Sequence, residues 1–166
     1  GDIPILPRNP QLKELIYSPT LLLAFGFGSG LVNKAPGTVG TLAAIPFWCL
    51  LSNLSLGTYI MIIYLAAVTG IIVCEKASTE VGVHDPGGIV WDEFVGFWIA
   101  MCPVSPSVSN LVIGFVLFRA LDILKPWPIN WLDQNIHGGF GIMLDDIVAG
   151  LVTALLMAML INLEFL

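Results

Sequence analysis

TYIMIIYLAAVTGIIVC, residues 58–74, runs for seventeen residues without a charged side chain, and what solvates that run decides the fold. A helix of that length, rising about 1.5 Å per residue, is close to the shortest that crosses a hydrocarbon core of about 30 Å. Residues 38–54 upstream are also uncharged, and only the short turn Ser55-Leu56-Gly57 separates the two runs. The pair predicts a hairpin of two transmembrane helices. Composition agrees: 57% of the 166 residues are apolar and 11% are charged, against about 25% charged in ordinary soluble domains. With a mean hydropathy of +0.90, lipid is the expected solvent.

Outward from the hairpin, further spans are expected over residues 89–101, 110–124 and 147–163. The predicted class is therefore all-α: a polytopic integral membrane bundle of about five short helices with Gly-rich cytoplasmic loops. One membrane-embedded domain covers residues 1–166, with residues 1–25 as a cytoplasmic or interfacial segment. Residues 15–27 are apolar but too few to cross, and read as a re-entrant or interfacial helix. The Pro-rich polar start does not resemble a cleaved signal peptide. Placing residues 55–57 and the uncharged loop 102–110 on one side leaves Arg8, Lys13, Lys34, Lys76, Arg119 and Lys125 on the other, which the positive-inside rule makes cytoplasmic. Cys49, Cys74 and Cys102 are far apart in apolar runs and read as packing residues. A chain of net charge −6 is not expected to bind nucleic acid.

The chemistry gathers at the charged membrane edge. If the third helix starts near Gly88, Asp92 and Glu93 lie one turn inside it, where ionisable groups are costly unless paired, metal-bound or functional. A carboxylate at a helix N-terminus is favoured in its own right, which accounts for one acid. It does not account for Asp85, Asp122, Asp145 and Asp146 as well. An oxygen-rich set without a His and Cys cluster suits Mg²⁺ and argues against zinc.

Arg119, Asp122 and Lys125 recur every three residues and share one helix face. They read either as an ion-paired helix end snorkelling to water or as a phosphate clamp, for which arginine is the best-shaped side chain. The loop from Gly26 through Gly28 and Gly30 to Lys34, Pro36, Gly37 and Thr38 opens onto a helix N-terminus, offering backbone N–H groups, Lys34 and Thr38 to an anion. It lacks the Gly-Lys-Ser/Thr triplet of a Walker loop, and glycines in membrane helices serve close packing as often as ligands. A second glycine cluster, Gly138, Gly139 and Gly141, reads as a fold-back beneath the acids.

Three blocks in this order resemble the phosphatidylglycerophosphatase A family. They are Gly26-Phe27-Gly28-Ser29-Gly30-Leu31 with Pro36-Gly37-Thr38-Val39-Gly40; Asp85 with Ile89-Val90-Trp91-Asp92-Glu93-Phe94-Val95-Gly96; and Phe118-Arg119 through Asp122, Lys125-Pro126-Trp127-Pro128-Ile129, Gly138-Gly139, Asp145-Asp146 and Ala149-Gly150. The resemblance implies a Mg²⁺-dependent phosphatase of the bacterial inner membrane, acting at the cytoplasmic face on the phospholipid phosphatidylglycerophosphate. It ranks Asp92, Glu93 and Asp146 first among the acids. Thr41 stands where serine is more usual in the family, and either hydroxyl can bond a phosphate oxygen.

No Cys-x5-Arg, Asp-x-Asp-x-Thr or His-based lipid phosphatase pattern is present, so the expected route is direct attack by water. In that scheme Asp92, Glu93, Asp145 and Asp146 hold Mg²⁺, although adjacent residues point about 100° apart and Asp145 and Asp146 are not expected to face one ion. Arg119 and Lys125 neutralise phosphoryl oxygens, and Asp85 or His84 moves protons. A covalent phosphate on Asp92 or Asp122 stays open. Other classes are a small ion or proton-coupled transporter, against which the acids gather at one face and no inverted repeat is visible, and a phosphotransferase or structural subunit.

Overall fold

The computed structural model describes residues 10–82 and 87–164. The expectations placed on Arg8, His84 and Asp85 lie outside the described residues. Every regular element among those described is helical: α1 (Leu12–Tyr17), α2 (Pro19–Ala24), a 3-10 segment (Gly26–Leu31), α3 (Pro36–Leu51), α4 (Leu56–Val81), α5 (Trp91–Ala100), α6 (Val108–Leu124), α7 (Ile129–Asn135) and α8 (Gly138–Asn162).

Local chemistry sets the ends. The hydroxyls of Ser18, Ser55 and Ser107 accept the backbone N–H groups of Leu21, Thr58 and Asn110, capping α2, α4 and α6. Pro19 and Pro36 occupy the first turn of α2 and α3, where the missing N–H costs nothing. Gly82, at φ 80°, ends α4 in the left-handed conformation that glycine adopts freely. The N-terminus of α8 is capped from another helix: the Glu75 carboxylate on α4 accepts the N–H of Gly139.

Helix α5 is the centre of the bundle. All of its ten residues but Ile99 are buried, and α3, α4, α6 and α8 pack around it. Its aromatic side chains interlock with their neighbours: Phe97 meets Trp48, Phe115 and Phe118 at ring separations of 6.2–6.5 Å, and the indole N–H of Trp98 donates to the Ala44 carbonyl. Ten residues span only about 15 Å, half a bilayer core, so at the place of the expected third span, residues 89–101, stands a short helix buried among the others. The expected hairpin also differs, because α3 and α4 pack on α5 in preference to each other.

Two helices, α4 and α8, are long and apolar enough to cross a membrane. In a soluble protein such helices would be mostly buried, yet only 17% of the crossing window of α4 and 33% of that of α8 is buried. Ile60, Met61, Tyr64, Leu65, Leu151 and Leu155 are exposed, an apolar surface suited to lipid. Helix α8 begins nine residues before the expected start of the last span, so Asp145 and Asp146 lie two turns inside it. Gly138, Gly139 and Gly141 are its first turn rather than a fold-back. Close packing explains their presence: a Cβ at Gly139 would collide with the Ile71 carbonyl oxygen of α4. Residues 15–27 take in the end of α1, all of α2 and the start of the 3-10 segment, with Leu15, Leu21, Ala24 and Phe25 buried.

Candidate active site

The site follows from one helix crossing. Where α5 meets α8, a Cβ at Gly150 would strike the Gly96 carbonyl oxygen, and a Cβ at Gly96 would lie 2.7 Å from the Asp146 carbonyl oxygen. Two glycines therefore let the backbones touch. Asp92 and Asp146 each precede their glycine by four residues, on the same helix face. The crossing thus brings the two carboxylates together, and Glu93 of the same first turn of α5 joins them. One carboxylate oxygen from each of Asp92, Glu93 and Asp146 lies within 4.8 Å of the others.

These acids are 7%, 8% and 1% exposed, so water does not solvate them freely. Asp92 Oδ1 accepts the N–H of Glu93 at 3.0 Å. Glu93 Oε2 and Asp146 Oδ2 are buried with no hydrogen-bond partner. A buried oxygen without a partner costs free energy, and three carboxylates this close repel one another. A divalent cation answers both. The donors are all oxygens, the set that suits a hard ion such as Mg²⁺.

Beside the acids stand the cations. Arg119, near the end of α6, donates from Nη1 to Asp122 Oδ2 at 2.6 Å and from Nε to Thr38 Oγ1 at 3.3 Å. Gly37 faces the gap between this guanidinium and Glu93: a Cβ there would lie 3.0 Å from both Arg119 Nη2 and Glu93 Oε1. Lys125, held at φ 47° as α6 ends, places Nζ 3.6 Å from Asp122 Oδ1 and 3.3 Å from Asp145 Oδ2. Burial works against its charge, but Asp122, Asp145 and Asp146 outweigh burial and hold its pKa above the ordinary lysine value.

The structure thus gathers Asp92, Glu93, Asp146, Arg119, Thr38 and Asp122 around one point. Asp145 is turned to Lys125 instead of joining the three-carboxylate cluster. Lys34 is exposed and makes no ion pair among the described residues. Thr41 is fully buried, and its hydroxyl donates to the Gly37 carbonyl at 2.8 Å rather than facing an open site. The family-like blocks contain Gly96 and Gly150 without assigning them a role; the repeated pattern of an acid four residues before glycine, Asp92 to Gly96 and Asp146 to Gly150, is the signal of the crossing. Chemically, an oxygen-ligand cluster beside an oriented guanidinium can hold a cation and an anionic phosphoryl group together.

Residues 22–161 match the family model described as phosphatidylglycerophosphatase A. The chain is 48% identical over 154 residues to the phosphatidylglycerophosphatase A of Escherichia coli strain K12, covering 90% of each protein. It is 45% identical over 148 residues to the protein of the same name from Haemophilus influenzae, covering 87% of this chain and 90% of that one. No solved structure matches.

Proposed function

The chain belongs to the phosphatidylglycerophosphatase A family, and on that premise we propose that it hydrolyses the terminal phosphate of phosphatidylglycerophosphate to give phosphatidylglycerol. The observation that carries the chemistry is the placing of Arg119 against Glu93 across Gly37, beside two unpartnered carboxylate oxygens. Asp92, Glu93 and Asp146 would hold Mg²⁺. When bound, Mg²⁺ supplies Lewis-acid stabilisation of phosphoryl charge and acidifies water in its reach.

The chain's own residues do the rest. With Nε on Thr38 and one Nη1 proton on Asp122, Arg119 keeps three N–H donors for the equatorial oxygens of the terminal phosphate. With no side chain at Gly37, the approach of that phosphate to Arg119 and Glu93 is not blocked from α3. Water forms the new P–O bond as the bond to the glycerol oxygen breaks. One water proton ends on the released hydroxyl and the other stays with inorganic phosphate. Asp85 or His84 is the proposed proton carrier. Asp122 is clamped between two cations, which makes it a poor nucleophile and favours water over a phosphoryl-Asp122 route.

The proposed setting is the bacterial inner membrane, crossed several times, with the site on the cytoplasmic face. Supporting this orientation, Lys34 lies just before α3, Lys76 in the last two turns of α4, and Arg119 and Lys125 at the end of α6, beside the acids of α8. The test is phosphate release from phosphatidylglycerophosphate in detergent micelles with Mg²⁺ titrated from zero and Asp92→Asn alongside. Metal-dependent release that the variant loses is expected; no release from folded wild-type protein at any Mg²⁺ concentration would overturn the reading.

A further inference from the structure

Asp145 and Asp146 are neighbours in sequence with opposite circumstances. Both oxygens of Asp145 are committed: Oδ1 accepts the N–H of Asp146 at 2.9 Å, and Oδ2 lies 3.3 Å from Lys125 Nζ. Asp146 has an oxygen with no partner, Oδ2, although it is the more deeply buried of the two. Helix geometry separates them by about 100°, so that Asp146 looks toward α5 and the other two carboxylates while Asp145 looks toward the end of α6.

We propose that Asp145 is a positioning residue rather than a metal ligand, and that it acts through Lys125 and Asp122 to fix the guanidinium of Arg119. The chain of contacts is continuous. Asp145 Oδ2 is 3.3 Å from Lys125 Nζ, Lys125 Nζ is 3.6 Å from Asp122 Oδ1, and Asp122 Oδ2 is 2.6 Å from Arg119 Nη1. It ties α8, which carries Asp146, to α6, which carries Arg119. Lys125 divides its charge between two carboxylates. Without Asp145 it is drawn wholly onto Asp122, which then competes less well for Arg119, and the fork turns away from Gly37. The backbone agrees with this role, because Lys125 sits at φ 47°, a region that residues other than glycine enter at a cost. That conformation ends α6 with the ammonium between Asp122 and Asp145.

The inference rests on the phosphatase reading, and its test separates the two. Mn²⁺ binding, followed by the electron paramagnetic resonance of the free ion, is measured on detergent-purified wild type, Asp145→Asn, Asp146→Asn, Lys125→Met and the Asp145→Asn/Lys125→Met double variant. Phosphate release from phosphatidylglycerophosphate is measured on the same samples. Asp145→Asn is expected to keep Mn²⁺ affinity within about twofold while kcat/KM falls roughly ten- to a hundredfold, the scale of one displaced charge-assisted hydrogen bond. In the Lys125→Met background it should add less than about twofold, since both changes break one chain. Asp146→Asn should lose Mn²⁺ binding.

Mn²⁺ binding weakened by Asp145→Asn as much as by Asp146→Asn would overturn the proposal, as would unchanged kcat/KM or effects that multiply in the double variant. If Asp145→Asn does not fold, Lys125→Met carries the same test, with Lys125→Arg expected to restore most of the activity. A wild type that binds Mn²⁺ but releases no phosphate would instead refute the phosphatase reading.

Discussion

Adding a single methyl group at Gly37 should separate activity from stability. Gly37 lies in the first turn of α3, and a Cβ there would sit 3.0 Å from Arg119 Nη2, 3.0 Å from Glu93 Oε1 and 3.4 Å from Arg119 Nη1. These contacts are tighter than ordinary van der Waals separation, so the neighbours must yield by a few tenths of an ångström. Arg119 cannot swing clear, because Thr38 holds Nε and Asp122 holds Nη1. Stability should change little: alanine is the better helix former by up to about 1 kcal/mol, which offsets a comparable strain at two polar side-chain ends. Transition-state binding should suffer more, since one charge-assisted hydrogen bond is worth about 1.5–3 kcal/mol, a loss of roughly ten- to a hundredfold in kcat/KM. Gly40 provides the contrast, because its Cβ would lie 2.5 Å from that of Val90, away from the acids. Gly40→Ala should lower the melting temperature, with specific activity of the surviving folded protein retained. The assay is micellar phosphate release paired with thermal unfolding in detergent. Wild-type kcat/KM in folded Gly37→Ala would refute the claim that phosphate occupies the space between Arg119 and Glu93.

Three further outcomes follow from the same geometry. Arg119→Lys keeps the charge but loses the fork that serves Thr38, Asp122 and phosphate together, so kcat/KM should fall at least about a hundredfold; a loss under about fivefold in the steady-state assay would refute the bidentate role. Gly150→Ala forces α8 away from α5 at the Gly96 carbonyl and should cost about 1–3 kcal/mol of stability, read as an earlier thermal transition, and an unshifted transition would mean that the crossing tolerates a side chain. Mg²⁺ at a hundred times its Kd should stabilise the wild type by about 2.7 kcal/mol, whereas Glu93→Gln, which lacks one buried ligand oxygen, should show little of that shift in the same melt. Equal shifts in both proteins would place the ion elsewhere.

Much of the candidate site is legible in the sequence. Asp92, Glu93 and Asp146 stood out because carboxylates are expensive in so apolar a chain, and Arg119 with Asp122 because a three-residue spacing puts them on one helix face. What apolarity left open was the environment of each helix. Residues 89–101 supply α5, which is packed among other helices, and apolarity alone does not distinguish a helix solvated by lipid from one solvated by its neighbours. Gly138, Gly139 and Gly141 look like a loop and are helical, since a glycine that allows backbone contact reads the same as one that permits a turn. Lys34 and Thr38 look like phosphate ligands from their place in a Gly-rich segment, but only Thr38 meets Arg119, while Lys34 is exposed and Thr41, singled out by the family resemblance, bonds its own helix.

The helical class, the apolar character of the chain and the sharing of a helix face by Arg119, Asp122 and Lys125 are legible in the residues alone, because these depend on composition and on spacing along one element. The division of labour among the acids depends on how the helices cross. Asp145 and Asp146 have the same side chain and adjacent numbers. One meets Lys125 and the other meets Asp92 and Glu93, because a helix turns 100° between them and the contact of Gly96 with Gly150 sets which neighbour each one faces.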